Sequence, residues 1–170
     1  MLLKERGVPL GLVQAEYPEV QADRLEDVVR AALDWLAPRH GDGLVVDDSG
    51  LFVRSLGGFP GVYSSYVFRT LGCDGLLALL DGVRDRGATF ATVLGLREGG
   101  ENRLFPGRCR GTITEGRRGR AGFGFDPIFV PVGSSRTFAE MTWAEKNAMS
   151  HRGRAADALA AHLTRREEAR

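Results

Sequence analysis

One short stretch, Leu44-Val45-Val46-Asp47-Asp48-Ser49-Gly50, constrains the fold more than any other. Three consecutive apolar residues predict a short buried strand, and the two carboxylates that follow predict its C-terminal mouth. Ligand sites in open α/β sheets lie at that end of the strands. Just upstream, Leu25, Val28, Val29, Ala32, Leu33 and Leu36 recur at helical spacing, which predicts a helix over Asp23 to Leu36 capped by Asp23. Pro38 and Gly41-Asp42-Gly43 are expected to stop it. A helix feeding a buried strand that ends in acids points to an α/β protein. The 170 residues suffice for one such domain and not for two.

The rest of the chain agrees with that class. Helices are expected at Tyr63 to Leu71 and, capped by Asp74, at Asp74 to Leu80. Thr89 to Arg97 reads as a strand, Glu98 to Glu101 as a turn, and Asn102 to Phe105 and Arg108 to Glu115 as further strands of a hairpin or meander. Gly116 to Gly124 is a loop, and Ile128-Phe129-Val130 a last short strand. Thr142-Trp143-Ala144-Glu145 has capping-box spacing. Ser150 is placed to cap a final helix running to about Glu167, with Ala155, Ala156, Leu159, Ala160 and Leu163 on one face. The expected fold is therefore a mixed, elongated sheet flanked by helices.

Composition narrows function mainly by exclusion. The net charge is +1, too small for a duplex-DNA binder with a contiguous basic face. Its distribution is uneven: residues 1–50 hold five basic and ten acidic groups, residues 101–170 thirteen and eight. That asymmetry suits an anionic ligand facing the C-terminal half and a metal on the acidic side. No 18-residue apolar run is present, and Lys4, Glu5 and Arg6 interrupt the start, so a cytoplasmic protein without a membrane span is expected. Cys73 and Cys109 lack partners at metal-ligand spacing. Lys4 and Lys146 are the only lysines among 23 basic residues, a ratio that a coding bias toward arginine explains, or else a lysine stands where an ammonium does something a guanidinium does poorly.

Four clusters could carry chemistry. Asp47-Asp48-Ser49-Gly50 could put one carboxylate on hydrated Mg²⁺ while the other orients water, or it could be a solvated strand end. In Gly122-Phe123-Gly124-Phe125-Asp126-Pro127 the glycines would let the backbone approach a flat ligand on which Phe123 stacks; Phe125 is equally suited to the core. Glu145-Lys146-Asn147 and Ser150-His151-Arg152 gather donors near a helix start, where an anion or a base edge would be received, although each taken alone reads as a surface group or a cap. P-loop, dinucleotide, metalloprotease and α/β-hydrolase motifs are absent.

Taken in order, VVDDSGLFVRSLGGFPGVYSSYV, GFGFDPIFVP and TFAEMTWAEKNAMSHRGRAADAL resemble the inosine triphosphate pyrophosphatase family. The resemblance runs from about Glu16 to the last helix. It implies an elongated α/β fold with a central nucleotide cleft, a homodimer, Mg²⁺ dependence, and hydrolysis of noncanonical purine nucleoside triphosphates (ITP, dITP, XTP) to the monophosphate and pyrophosphate. It also implies roles for particular residues. Asp48 would be the catalytic carboxylate and a metal ligand, and Ser49 would contact the triphosphate. Phe123, with Gly124 and Phe125 beside it, would stack on the purine in a pocket shaped by Asp126. Lys146 would reach the nucleotide, and His151 and Arg152 would read its 6-oxo group. Matching the helix start at Leu25-Glu26-Asp27 to the family's metal-binding glutamate gives Glu26, or Asp27 if the register shifts by one; helix first-turn acids that merely favour the dipole are the alternative. Phe123, Lys146, His151 and Arg152 are thus expected to converge.

One departure accompanies the resemblance. The family opens with a strand and a Thr/Ser-Gly-Asn-x-x-Lys phosphate loop, and no such motif occurs in this sequence. Residues 1–170 are therefore expected to be a single, N-terminally shortened pyrophosphatase-like domain with impaired turnover; an inactive nucleotide-binding or structural homologue is the second reading.

Overall fold

The computed structural model of the chain describes residues 2–168. Its elements run α1 (Leu2–Glu5), α2 (Leu25–His40), β1 (Val45–Val53), β2 (Pro60–Gly61), α3 (Ser64–Thr70), α4 (Gly72–Leu79), β3 (Gly87–Glu98), β4 (Glu101–Ile113), β5 (Phe129–Pro131), α5 (Trp143–Met149) and α6 (His151–Glu168). The strands form one sheet in the order β2-β1-β3-β4-β5. The α/β class and the helix-flanked sheet are as expected. Pairing among the described residues is antiparallel throughout rather than mixed. The short Gly99-Gly100 turn folds β4 back on β3, and α3 and α4 return the chain to run β3 against β1.

Side chains alternate across a strand, so each strand feeds two faces. On one face Val46 and Phe52 of β1, Ala91 and Val93 of β3, and Leu104 of β4 pack under the Leu25, Val29, Ala32, Leu33 and Leu36 stripe of α2. The other face is divided. At one end Val45, Leu94, Leu96 and Phe105 lie under Ala155, Ala156 and Leu159 of α6, with Leu3 of α1 alongside. At the other end Leu51, Val53, Phe90, Cys109 and Ile113 lie under α3, α4 and the segment carrying Phe125, Ile128, Phe129 and Phe138. Between the two covered ends, the start of α6 stands over the middle of the sheet.

Four local expectations differ from what the fold contains. β1 does not stop at the acids but continues to Val53, because β3 opposes it residue by residue from Val45↔Leu96 to Val53↔Ala88. β4 is one strand and not two. Pro106 and Gly107 lie inside it, on a stretch whose outer side carries no further strand, so the missing Pro N–H costs no ladder bond. Neither Asp23 nor Asp74 caps its helix; α2 begins after Arg24 and α4 at Gly72, both without a side-chain cap. Pro38 sits within the last turn of α2, which closes at Gly41, whose N–H donates to the Ala37 carbonyl. By contrast the Thr142–Glu145 capping box forms as its spacing predicts, and Ser150 Oγ accepts from Gly153 N–H at the head of α6.

Candidate active site

The Gly122–Asp126 loop sorts its two phenylalanines by burial. Asp126 opens a short 3₁₀ turn and accepts the Phe123 N–H at 2.8 Å, which bends the chain so tightly that a side chain on Gly122 would collide with the Asp126 carboxylate. The bend sends Phe125 into the core, 2 % exposed and edge-on to Phe68 with ring centroids 5.4 Å apart. Phe123 is left 53 % exposed. Gly124 contributes its carbonyl, which accepts from the buried Cys73 thiol at 3.5 Å. Burial pushes that thiol's pKa up.

Two cations face the Phe123 ring. Lys146, held on α5, is buried; its Nζ bonds Asp126 Oδ2 and lies 4.3 Å from the Phe123 ring centre. Arg152, in the first turn of α6, places its guanidinium carbon 5.0 Å from the same ring and its Nη2 3.4 Å from Asp47 Oδ2. Between them His151 is buried and lies flat on Phe90, centroids 4.7 Å apart and planes 8° apart. Burial, reinforced by the Arg152 and Lys146 charges, lowers its pKa to about 3, so the imidazole is neutral at physiological pH. Its Nδ1 is buried and has no partner among the described residues.

Asp47 and Asp48 are separated by strand alternation. Asp47 and Ser49 share the face over which α6 begins, and Ser49 Oγ meets Thr92 Oγ1 there. Asp48 belongs to the α2 face, with Val46 and Phe52. Its pKa is raised to about 6, chiefly by burial; the Ser49 N–H it accepts at 2.8 Å acts against that, and the Asp47 and Glu19 charges add to it. Tyr17 is raised as well, by burial and then by Glu19, Asp48 and Asp47. These shared influences put Glu19 and Tyr17 in the same electrostatic neighbourhood as Asp48. Glu26 is not among the charges acting on Asp48. Its carboxylate lies 3.5 Å from Arg24 Nε and lines a cavity of about 320 Å³ with Phe52, Thr89, Pro106 and Arg108. Asp27 is exposed on the first turn of α2.

The expected convergence of Phe123, Lys146, His151 and Arg152 is thus present, with Asp126 and Asp47 tying it together. Phe125 is core and the Gly124 carbonyl is taken by the Cys73 thiol. Ser49 lies on the α6 face against Thr92, Asp48 turns to the α2 face within the influence of Arg152, and Glu26 lines the cavity beside Arg24. Sequence reasoning missed Glu19, within a stretch of irregular chain that carried no periodic signal. It also missed Phe90, whose place in an apolar strand gives no hint that an imidazole stacks on it. Among the described residues no three His, Cys, Asp or Glu side chains approach closely enough to hold a metal by themselves.

Fold and side-chain geometry together define an α/β protein in which a mid-strand carboxylate, Asp47, a glycine-flanked aromatic, Phe123, and the junction of α5 and α6 come together. The Ham1 family model matches residues 2–162, and the chain belongs to the Ham1 family. It is 51% identical over 153 residues to the dITP/XTP pyrophosphatase of Pyrococcus horikoshii, covering 90% of this chain and 82% of that one. It is 52% identical over 149 residues to the protein of the same name from Thermococcus kodakarensis, covering 88% and 80%. Among solved structures, the Staphylococcus aureus Ham1 protein superposes with a TM-score of 0.82 at 31% identity, covering 88% of this chain and 81% of its own. The family resemblance carried by the three sequence motifs is borne out.

Proposed function

We propose that this chain hydrolyses noncanonical purine nucleoside triphosphates, dITP, XTP and ITP, to the monophosphate and pyrophosphate. The observation that carries the reading is the exposed Phe123 ring flanked by Lys146 and Arg152 beside a neutral His151, in a chain about half identical to dITP/XTP pyrophosphatases. An exposed ring next to cations is a platform for a base with an electron-rich edge. A 6-oxo group is an acceptor and rewards the guanidinium donors and the single N–H of a neutral imidazole. The 6-amino group of adenine is a donor and would meet like with like, which is the kind of mismatch that discriminates strongly.

Lys146 has two tasks in this reading: its bond to Asp126 holds the loop that presents Phe123, and its charge faces the bound nucleotide. Asp48 is the catalytic carboxylate, and its pKa near 6 suits a group that accepts a proton from the attacking water at neutral pH. Water adds to the α-phosphorus and the bond to the bridging oxygen of pyrophosphate breaks. Ser49, whose hydroxyl meets Thr92, would contact the triphosphate.

A divalent cation, Mg²⁺ being the expected one, fits this end of the site. Asp48 carries a pKa raised first by burial and then by its neighbours Asp47 and Glu19, and a cation would favour the charged carboxylate against both. Mg²⁺ typically takes one or two carboxylates together with substrate phosphates and water, so a set of three protein ligands is not required. Asp48 and Glu19 would hold it, with Glu26 the ligand to compare. When bound it would neutralise triphosphate charge. A homodimer belongs to the same reading, supported by the exposed Tyr63, Tyr66, Phe68 and Leu71 along α3. Two free, buried cysteines accord with a reducing cytoplasm.

The test is pyrophosphate release from dITP, XTP, ITP, ATP and GTP with Mg²⁺ at equal protein concentration. The expected result is a kcat/KM for dITP and XTP about 10²-fold or more above that for ATP. Equal rates on ATP, or no pyrophosphate from any of them, would falsify it.

A further inference from the structure

We infer that Gly107, in the middle of β4 and outside all three sequence motifs, is a positioning residue that sets the height of the α6 head above the sheet and thereby the discrimination between 6-oxo and 6-amino purines. The inference rests on the functional reading above for the role of His151 and Arg152.

Gly107 sits opposite Thr92 of β3, which sits opposite Ser49 of β1, so the three form one cross-strand row at the level of the site. Thr92 and Ser49 fill their positions with hydroxyls in mutual contact. At Gly107 the place of a side chain is taken by the first turn of α6. A Cβ there would run into the His151 carbonyl oxygen, lie 2.6 Å from the Ala155 nitrogen and 3.0 Å from the Ala155 Cβ. Gly107 is not among the glycines with a positive φ, so space and not backbone conformation is what demands glycine. The obstructing atoms are helix backbone and a wholly buried alanine, which have no rotamer to escape into. An added methyl must therefore lift the helix.

What the lift would disturb is specific. Phe90 is fixed in β3, so raising α6 slides the His151 ring off it. Arg152 follows His151 in the chain and would leave both Asp47 and Phe123. Lys146 and Asp126 belong to α5 and to the loop, and their bond does not pass through α6. The geometry thus couples Gly107 to the two residues that read the base and leaves the loop's anchor in place.

Gly95 supplies a matched comparison. It lies on β3, facing the other way, and a Cβ there would run into Val29 Cγ1 and stand 2.7 Å from Leu33 Cδ1, both of α2. Gly95→Ala overpacks the α2 face as Gly107→Ala overpacks the α6 face.

The experiment compares wild type, Gly107→Ala and Gly95→Ala by kcat/KM for dITP and dATP and by NMR of the histidine ring protons, where stacking on Phe90 shifts the His151 signals away from those of His40 and His162. The expected result is that Gly107→Ala lowers the dITP-to-dATP ratio about tenfold or more, in line with the loss of a well-aligned hydrogen bond, and moves the His151 signals. Gly95→Ala is expected to leave both alone. A retained ratio, unmoved His151 signals, or an equal fall of the ratio in both variants overturns the inference. If Gly107→Ala yields no folded protein, Ala155→Ser crowds the same contact by one atom and carries the same expectations. Absence of turnover by the wild type on either nucleotide sinks the hydrolase reading instead, and the positioning role then stands or falls on the His151 signals.

Discussion

Around Phe123 the charges are paired: Lys146 meets Asp126 and Arg152 meets Asp47. Around Asp48 they are not. That carboxylate is half-buried, accepts one backbone N–H, and feels Asp47 and Glu19 of its own sign, with the Arg152 charge against them. The charges of the aromatic end are therefore paired before any ligand arrives, whereas the carboxylate end holds a half-buried charge, near others of its own sign, that a cation or a proton would relieve. A site can be rigid where it recognises and strained where it reacts, because preorganised donors raise specificity while an uncompensated carboxylate stays reactive.

The largest expected effect breaks the strained end. Asp48→Asn is predicted to lower kcat for dITP by about 10²–10⁴-fold, the usual contribution of a positioned acid–base group. The same change removes a buried charge that burial and its neighbours disfavour, so the melting temperature at pH 8, without divalent cations, is expected to rise. A variant that keeps its turnover, or melts lower, would show that Asp48 is a structural group.

Next comes the paired end. Lys146→Met leaves Asp126 buried without its partner, and both groups are at most 5 % exposed, so a loss of about 3–5 kcal/mol in urea unfolding is expected. Asp47→Asn cuts the other pair, whose carboxylate is 48 % exposed, and should cost only about 0–1 kcal/mol. Equal costs would mean that burial does not set the difference between the two pairs.

Phe123→Ala tests the platform itself. A base stacked on the ring predicts a weakening of about 1–3 kcal/mol, seen as a KM for dITP raised roughly tenfold with kcat little changed. Stability should scarcely move, since the ring is mostly in solvent. An unchanged KM would remove the ring from the binding surface.

The smallest effect is in the acid limb. His151 takes its proton near pH 3 when folded but near the usual 6.5 when unfolded, so the unfolded chain binds the extra proton and this group's contribution to stability falls as pH drops below about 6.5. Asp48 is the reverse: folded, it is protonated up to about pH 6 against the usual 3.8, so its contribution rises as pH falls from about 6 toward 3.8. The two slopes oppose each other in that window, with part of the Asp48 effect screened by solvent. Asp48→Asn should therefore uncover a steeper loss of stability between pH 6 and 4, approaching about 1.4 kcal/mol per pH unit for one proton. Urea unfolding at pH 6, 5 and 4 without divalent cations measures it, and identical slopes in the two proteins would show that Asp48 offsets nothing.

Much of the site was legible because its residues are locally distinctive. A glycine on each side of an aromatic, one of only two lysines amid arginines, and Ser-His-Arg at a helix start stand out without any fold. What misled were breakers and acids read in isolation. Pro106-Gly107 looked like the gap between two strands, and Asp47-Asp48 like a strand end, because turn signals say nothing of whether a neighbouring strand holds the chain straight. Glu19 was illegible for the converse reason: irregular backbone has no period, and only the fold brings it near Asp48.

The sequence by itself determined the helical stripe of α2, the capping box of α5, the apolar face of α6 and the chemical inventory of the site. All of these depend on neighbours within about one turn of helix or two residues of strand, where periodicity and capping chemistry act. Only the tertiary structure decided that Asp47 and Asp48 face opposite sides, that Phe123 stays out while Phe125 goes in, that His151 lies on Phe90, and that α6 rests on Gly107. Those outcomes follow from strand register and from close packing between distant segments, where one residue of slip exchanges the faces and one methyl group moves a helix.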